Sequence, residues 1–495
     1  MEKKNTDQGY SHILKYTGVF GGVQGLNIFI SVVRNKFTAL LLGPTGMGLV
    51  SLFNSTINMV VSASSLGIPT SGVQEISDKF SAEQERLADS IKMIRSWGVV
   101  TAIFGMLLCI VFSPLLNQWT FTWGNHTLHF VLLSPVVAMT ILIGGEMAVL
   151  KATRQLRALA FTSLYVIIAS LVISIPIYYF WGQAGIVPVL ELQVLVQLGI
   201  TIHYSTRFYP YHSSIRLSSL RGGIRIVKLG MAFVVAGMMS SGAEFLIRSY
   251  INNVSELDEV GLFNAGCTLA ITYAGLVFSA MEADYFPRLS SIKVRGKEQD
   301  DCINKQVDVN VLLVTPFLVL MVFSLPVLIP LLYDSSFSGM LRMAQFATVS
   351  MLFRAVYLPI EYLPLSKGES KIFLLQESFA VILLIAFEIA GYRWNGLTGL
   401  GLGITLAYFF EMVGVIVYSH FYYGFRLASR TLGFMVMQFA FVLVSLLLVL
   451  SDMQIVWYWV VAAACVFANV TATLCVMVKK TDVFDMLLAK LKHKG

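Results

Sequence analysis

The sequence predicts an all-α polytopic membrane protein of about 14 transmembrane helices, in two halves of six with two helices left over at the C-terminal end. Three observations carry this. The 495 residues are 56% hydrophobic and only 13% charged, against about 25% charged in a soluble domain. Apolar stretches long enough to cross a bilayer, which takes about 20 residues, recur along the whole chain. Lys and Arg then alternate from gap to gap: 29 of the 35 fall in every second connection, 2 in the others, and 4 inside the spans. That asymmetry is the positive-inside pattern, with both termini cytosolic. One missed or extra helix would scramble it downstream.

In chain order the expected spans are 16–42, 48–76, 93–113, 128–150, 161–181, 186–206, 227–253, 261–285, 308–332, 340–365, 372–391, 397–421, 432–451 and 455–478. The spans at 48–76 and 340–365 are interrupted by Ser, Asn, Arg and Pro. The polar opening MEKKNTDQGYSHILK and the long apolar run after it do not read as a cleavable leader. The longest outward loop, around Pro114–Thr127, is short and holds no Asp, Glu, Lys or Arg. Pro69, Pro135, Pro316, Pro326 and Pro359 are expected to interrupt helices. The pairs Gly18/Gly22, Gly21/Gly25 and Gly399/Gly403 mark close helix packing. The tail TDVFDMLLAKLKHKG reads as a short basic amphipathic helix on anionic lipid.

Several function classes are excluded. With every connection short, soluble catalysis has no domain to occupy, so no enzyme is expected. The net charge of +7 sits in loops between apolar segments, which is an orientation signal and not a nucleic-acid footprint. The five cysteines show no paired spacing and the seven histidines no metal-ligand spacing, so neither a disulfide framework nor a metal is expected. No G-x-x-x-x-G-K-[ST] loop is present, so ATP is not the driver. No cofactor is expected.

The interior cations need an explanation. Asn27–Gly48, NIFISVVRNKFTALLLGPTGMG, is apolar enough to span, yet it carries Arg34 and Lys36. A cation at that depth costs roughly 2.5–3.5 kcal/mol. A carboxylate partner, a water-filled cavity or an anionic cargo can offset it. Arg248 and Arg354 lie inside later spans. At 1.5 Å per residue these groups sit at staggered depths, as the path of a diphosphate requires. The competing readings are snorkelling for Arg34 and Lys36, and a self-neutralising pair of Arg248 with Glu244 one turn away. The intramembrane acids are Glu146, Glu191, Glu244, Glu361, Glu388 and Glu411. Of these, Glu244, Glu361 and Glu411 are the candidates for binding a coupling proton or Na⁺, against the plainer role of partnering an arginine.

The halves repeat. Arg34 is followed 14 positions later by Gly48-Leu49, and Arg248 13 positions later by Gly261-Leu262. Each opens a helix that ends in proline, at Leu66-Gly67-Ile68-Pro69 and Tyr285-Phe286-Pro287. The domains expected are an N-terminal six-helix bundle over 1–226, a C-terminal six-helix bundle over 227–425, and two further helices with a tail over 426–495.

The opening R-x-K…LLGPTGMGLVSLF, followed by SLGIP, resembles the polysaccharide flippases of the multidrug/oligosaccharidyl-lipid/polysaccharide exporter superfamily, and most of all the Wzx-type O-antigen translocases. That resemblance implies two bundles facing each other across a central cationic cavity, and a basic residue of the first helix, here Arg34 or Lys36, lining it. It implies an undecaprenyl-diphosphate-linked oligosaccharide as cargo, moved between leaflets of a bacterial inner membrane by alternating access, with membrane lipid and other polysaccharide-assembly proteins as partners. The substrate-binding residues expected are Arg34, Lys36, Arg248 and Arg354 for charge, with Gln24, Asn27, Asn54 and Asn58 placed for sugar or for helix–helix hydrogen bonds. One rival is a cation-coupled multidrug exporter of the same superfamily, against which the acid-free opening helix argues. The other is a membrane polysaccharide polymerase, against which the short outward loops argue.

Overall fold

The computed structural model of the chain describes residues 2–80, 84–211, 217–272, 295–451 and 454–480, with scattered positions between 275 and 292. The C-terminal tail, 481–495, lies outside the described residues, as does Pro287 of the repeat. Every regular element among the described residues is helical. Nine of these helical stretches are long and apolar enough to cross a membrane. Two of them, Arg157–Phe208 with 52 residues and Ser370–Tyr423 with 54, have the length of two crossings each.

By spatial contact the chain divides into two compact units, Met1–Gly261 with Leu332–Asp334, and Leu262–Leu331 with Ser335–Gly495. The seventh expected span therefore groups with the first unit.

The first unit contains α1 (Glu2–Ser64), α2 (Ile68–Phe80), α3 (Gln84–Thr120), α4 (Thr127–Leu132), α5 (Ser134–Ala152), α6 (Leu156–Trp181), α7 (Ile186–Phe208), α8 (Leu217–Val254) and the start of α9 (Leu257–Cys267). Gly43 splits α1 into limbs 2–42 and 44–64, with φ 65 and ψ −173 inside an otherwise helical run. Only glycine takes that conformation at low cost. Pro44 then starts the second limb, where its fixed φ and missing N–H do no harm. The second limb ends sooner than expected. Leu66 and Gly67 both have positive φ, so the helix breaks there and 48–76 is not one continuous helix but the end of α1 followed by α2. Pro69 and Pro135 fall in the first turns of α2 and α5 and break nothing. Pro114 lies within α3, so part of the expected outward loop is helix. In this unit α1 packs on α6 and α8, α3 on α5, and α5 on α2 and α7.

The second unit contains the rest of α9, α10 (Lys297–Leu332), α11 (Leu341–Ser366), α12 (Ser370–Tyr423), α13 (Ser429–Leu450) and α14 (Ile455–Lys480). Pro316, Pro326 and Pro359 lie inside continuous helices, α10 and α11, and do not end them. Its core is a block of fully buried side chains from α10 and α11, including Val311, Leu318, Val322, Leu352 and Ile360. The α12 helix folds back at Asn395–Gly396. Its two limbs approach so closely that a Cβ on Gly399 would lie 2.0 Å from the Gly391 carbonyl oxygen, and one on Gly403 2.2 Å from that of Phe387. The Gly399/Gly403 pair thus packs helix against helix as its spacing predicts. Buried polar side chains join α13 to α14: Asn469 Nδ2 donates to Gln438 Oε1 at 2.7 Å, and Gln438 Nε2 to Thr473 Oγ1 at 2.8 Å.

Candidate functional site

The first limb of α1 carries the most informative cation. Arg34 is half-buried, and its Nη1 donates to Ser170 Oγ on α6 at 3.1 Å. Its Nη2 reaches the Asn35 amide oxygen at 3.4 Å. The Ser170 carbonyl in turn accepts from Gln193 Nε2 on α7 at 3.3 Å. One arginine thereby marks a polar spot where α1, α6 and α7 meet inside apolar sequence. Lys36 is half-buried two residues on, while Asn54 and Asn58 are exposed on the second limb. The Asn27 Oδ1 atom is sequestered with no hydrogen-bond partner among the described residues. The Gln24 side chain lies outside the described residues.

Arg248 on α8 faces α1. Its Nε donates to Ser51 Oγ at 2.8 Å, and its Nη1 lies 3.1 Å from the Glu244 carboxylate. The arginine side chain is 13% exposed and the glutamate 56%. The one-turn pair read from the sequence therefore exists. It ties Glu244, named as a coupling-ion candidate, to an arginine.

The strongest electrostatic feature of this unit is one that sequence reasoning did not assemble. Arg95 on α3 and Glu146 on α5 form a two-pronged ion pair, Nε to Oε1 at 2.8 Å and Nη2 to Oε2 at 3.0 Å. The two side chains are 1% and 5% exposed. Arg95 also donates to Ser205 Oγ on α7 and to the carbonyls of Tyr209 and Pro210, while Ser205 donates to Glu146. Three helices are pinned at one point, near the end where the basic connections lie. Arg95 read as a loop cation and Glu146 as an isolated acid, because 51 residues separate them.

In the second unit Arg354 on α11 is half-buried. It acts electrostatically on Glu377 and Glu411, one from each limb of α12, and on the buried Tyr357 and Tyr408. Tyr357 and Glu411 also interact electrostatically. Glu361 and Glu388 are buried nearby, at 8% and 4% exposure. Around Arg354 the structure thus places Glu411, with Glu361 seven residues on along α11, and adds Glu377, which the sequence reading passed over.

Two further features belong to the first unit. A cleft of about 520 Å³ lies among α1, α3 and α8, lined by Met59, Trp119, Phe245, Leu246, Ser249 and Tyr250 among others, and no predicted cation lines it. In the connection before α4, the His126 ring packs against Phe121, tilted by 33° with ring centroids 4.2 Å apart, and lies 5.1 Å from the His129 ring. Burial, and secondarily the neighbouring His129, hold the His126 pKa below the usual imidazole range. No group of three or more metal-binding side chains occurs among the described residues.

This architecture of long apolar helices, buried polar clusters and short connections defines a multi-pass helical membrane protein. The fold is similar to that of the lipid II flippase MurJ in an inward closed conformation, with TM-score 0.72, 11% identity, and coverage of 95% of this chain and 99% of that one. It is also similar to an inward-facing multidrug resistance MATE family transporter of the MOP superfamily (TM-score 0.66, 12% identity, 82% of this chain and 95% of that one). A third likeness is to a MOP superfamily transporter from Pyrococcus furiosus whose binding pocket is described as of reverse polarity (TM-score 0.56, 11% identity, 88% and 94%). No curated protein matches the sequence. The chain belongs to the polysaccharide biosynthesis protein family, whose model matches residues 38–342. The flippase superfamily resemblance of the opening 80 residues agrees with both results.

Proposed function

We propose that this protein is a flippase that moves an undecaprenyl-diphosphate-linked oligosaccharide from the cytosolic to the periplasmic leaflet of a bacterial inner membrane, with both termini cytosolic. The single observation that carries the reading is a guanidinium at membrane depth on α1, Arg34, in a chain of the polysaccharide biosynthesis protein family. A diphosphate offers the charge and the paired oxygens that arginine binds best. In this reading Arg34 and Lys36 meet the diphosphate, and Arg248 and Arg354 lie along its path. Asn27 and Gln24, with Asn54 and Asn58, contact sugar. Bundles 1–226 and 227–425 rock about a central cationic cavity, and 426–495 adds two helices beside them. Glu411 and Glu361, set around Arg354, are the acids suited to a coupling proton or cation. Glu244 is less suited, since its partner Arg248 already occupies it.

The test is Arg34→Gln and Lys36→Gln, singly and together, in cells whose surface glycan depends on this chain. Surface glycan falls and the lipid-linked precursor accumulates on the cytosolic side, at unchanged protein level. Normal surface glycan in the double variant refutes the reading.

A further inference from the structure

We propose that Gly48 and Gly261, together with Thr45 and Asp258, form a separable latch that shuts the outward end of the pathway. The two glycines are the matched positions of the internal repeat, each opening a Gly-Leu pair. The structure brings them together. A Cβ built on Gly48 would lie 2.3 Å from the Leu257 carbonyl oxygen and 3.1 Å from the Gly261 nitrogen. One on Gly261 would lie 1.9 Å from the Pro44 carbonyl oxygen and 3.0 Å from the Gly48 nitrogen. Pro44 and Leu257 each stand four residues before their glycine, so the contact is reciprocal. Two equivalent helix starts cross backbone to backbone, which requires the absence of a side chain at both crossing points. Three residues before each glycine stand Thr45 and Asp258, and the threonine hydroxyl donates to the carboxylate. Asp258 lies in the first turn of α9, where the helix dipole favours its charge.

The surroundings suit a contact that parts and re-forms. Gly43, with φ 65 and no neighbour within 4 Å of a built Cβ, is an open joint just before the first segment. Ser255 and Glu256 interrupt the helix just before the second. The crossing itself joins backbone to backbone, with the Thr45–Asp258 hydrogen bond beside it. Immediately inward the second limb of α1 is bridged to α8, the helix that leads into α9, by Arg248 to Ser51 and by Ser62 to Ser241 at 2.8 Å. The positive-inside pattern puts the crossing on the outward side. The proposal rests on the transporter class and that orientation, and not on the identity of the cargo.

The experiment uses the full-length chain in membranes, with its five native cysteines replaced and Asn58→Cys as reporter; because Asn58 is also a proposed sugar contact, labelling and surface glycan are both compared with this Asn58→Cys parent. Asn58 is exposed and lies ten residues, about 15 Å, beyond Gly48 along the helix. Intact cells are treated with a membrane-impermeant maleimide from outside. Gly261→Ala is expected to raise labelling several-fold. Gly98→Ala, where a Cβ meets nothing within 4 Å, leaves it unchanged. Labelling at the parent rate in Gly261→Ala protein of normal abundance overturns the latch, and so does an equal rise with Gly98→Ala. If Gly261→Ala does not accumulate, Thr45→Cys/Asp258→Cys is cross-linked with a short, reducible bifunctional methanethiosulfonate. Cross-linking is expected to suppress reporter labelling and reduction to restore it; failure to cross-link, or labelling indifferent to the cross-link, overturns the latch. Surface glycan is followed in the same cells. Glycan export that continues while the cross-link shuts the reporter overturns the cargo reading and leaves the latch standing.

Discussion

Replacing Glu146 with alanine is expected to be among the most damaging single changes outside the proposed transport path. The arginine it partners is 1% exposed and donates to five acceptors at 2.7–3.2 Å. Two of the five are the Glu146 oxygens. Without them, Arg95 keeps only neutral acceptors, Ser205 Oγ and the carbonyls of Tyr209 and Pro210, and its charge stays buried without its carboxylate. Removing one partner of a buried pair costs about 3–5 kcal/mol. Glu146→Gln preserves shape and one acceptor but turns an amide donor toward the guanidinium, which places it near the cost of a lost charge-assisted bond, about 1.5–3 kcal/mol. The double change Arg95→Met/Glu146→Leu removes both charges and fills the space, so it is expected to recover most of the loss. Thermal and denaturant unfolding of the purified protein in detergent measures all three against wild type. A Glu146→Ala protein within about 1 kcal/mol of wild type would show that this pair does not hold α3, α5 and α7 together. Failure of the double variant to recover would assign the loss to packing instead of charge.

Two other outcomes are expected. Gly43→Ala meets no steric neighbour yet must adopt φ 65 with ψ −173, so it costs about 1–3 kcal/mol through backbone strain alone. Gly43→Asn is no better, because that ψ lies outside the left-handed helical region asparagine tolerates, and equal stability of both variants with wild type in the same unfolding assay refutes the kink. The His126 pKa is held down by burial and by His129, so the folded connection favours the neutral ring. Above the ordinary histidine range near 6.5 it contributes no pH dependence. As pH falls through that range the loosened form takes up the proton first, so protection of the 121–126 connection from protease or hydrogen exchange declines, and His126→Phe removes that decline.

Much of the helical plan is legible in the residues. Expected spans at 340–365 and 455–478 correspond to α11 at Leu341–Ser366 and α14 at Ile455–Lys480, because length and apolarity are local properties. The break at 65–67 was less so. Ser-Ser-Leu-Gly sits within otherwise apolar sequence, and the positive φ of Leu66 is imposed by the packing of the turn, where a Cβ on Gly67 would touch the Gly230 backbone. The charged site shows the same divide. The Glu244–Arg248 pair spans one helical turn and could be read directly, whereas Glu377 joined Arg354 and Glu411 only through the fold-back of α12 at Asn395–Gly396.

By itself the sequence determined that this is a helical membrane protein of the polysaccharide biosynthesis protein family, and which cations lie inside its apolar segments. Composition and the placement of lysine and arginine act residue by residue, through the cost of moving each group into hydrocarbon. Only the tertiary structure decided which charges meet. Arg95 found Glu146 and Gly48 found Gly261 because helices distant in sequence pack side by side, and partnership depends on that packing and not on spacing along the chain.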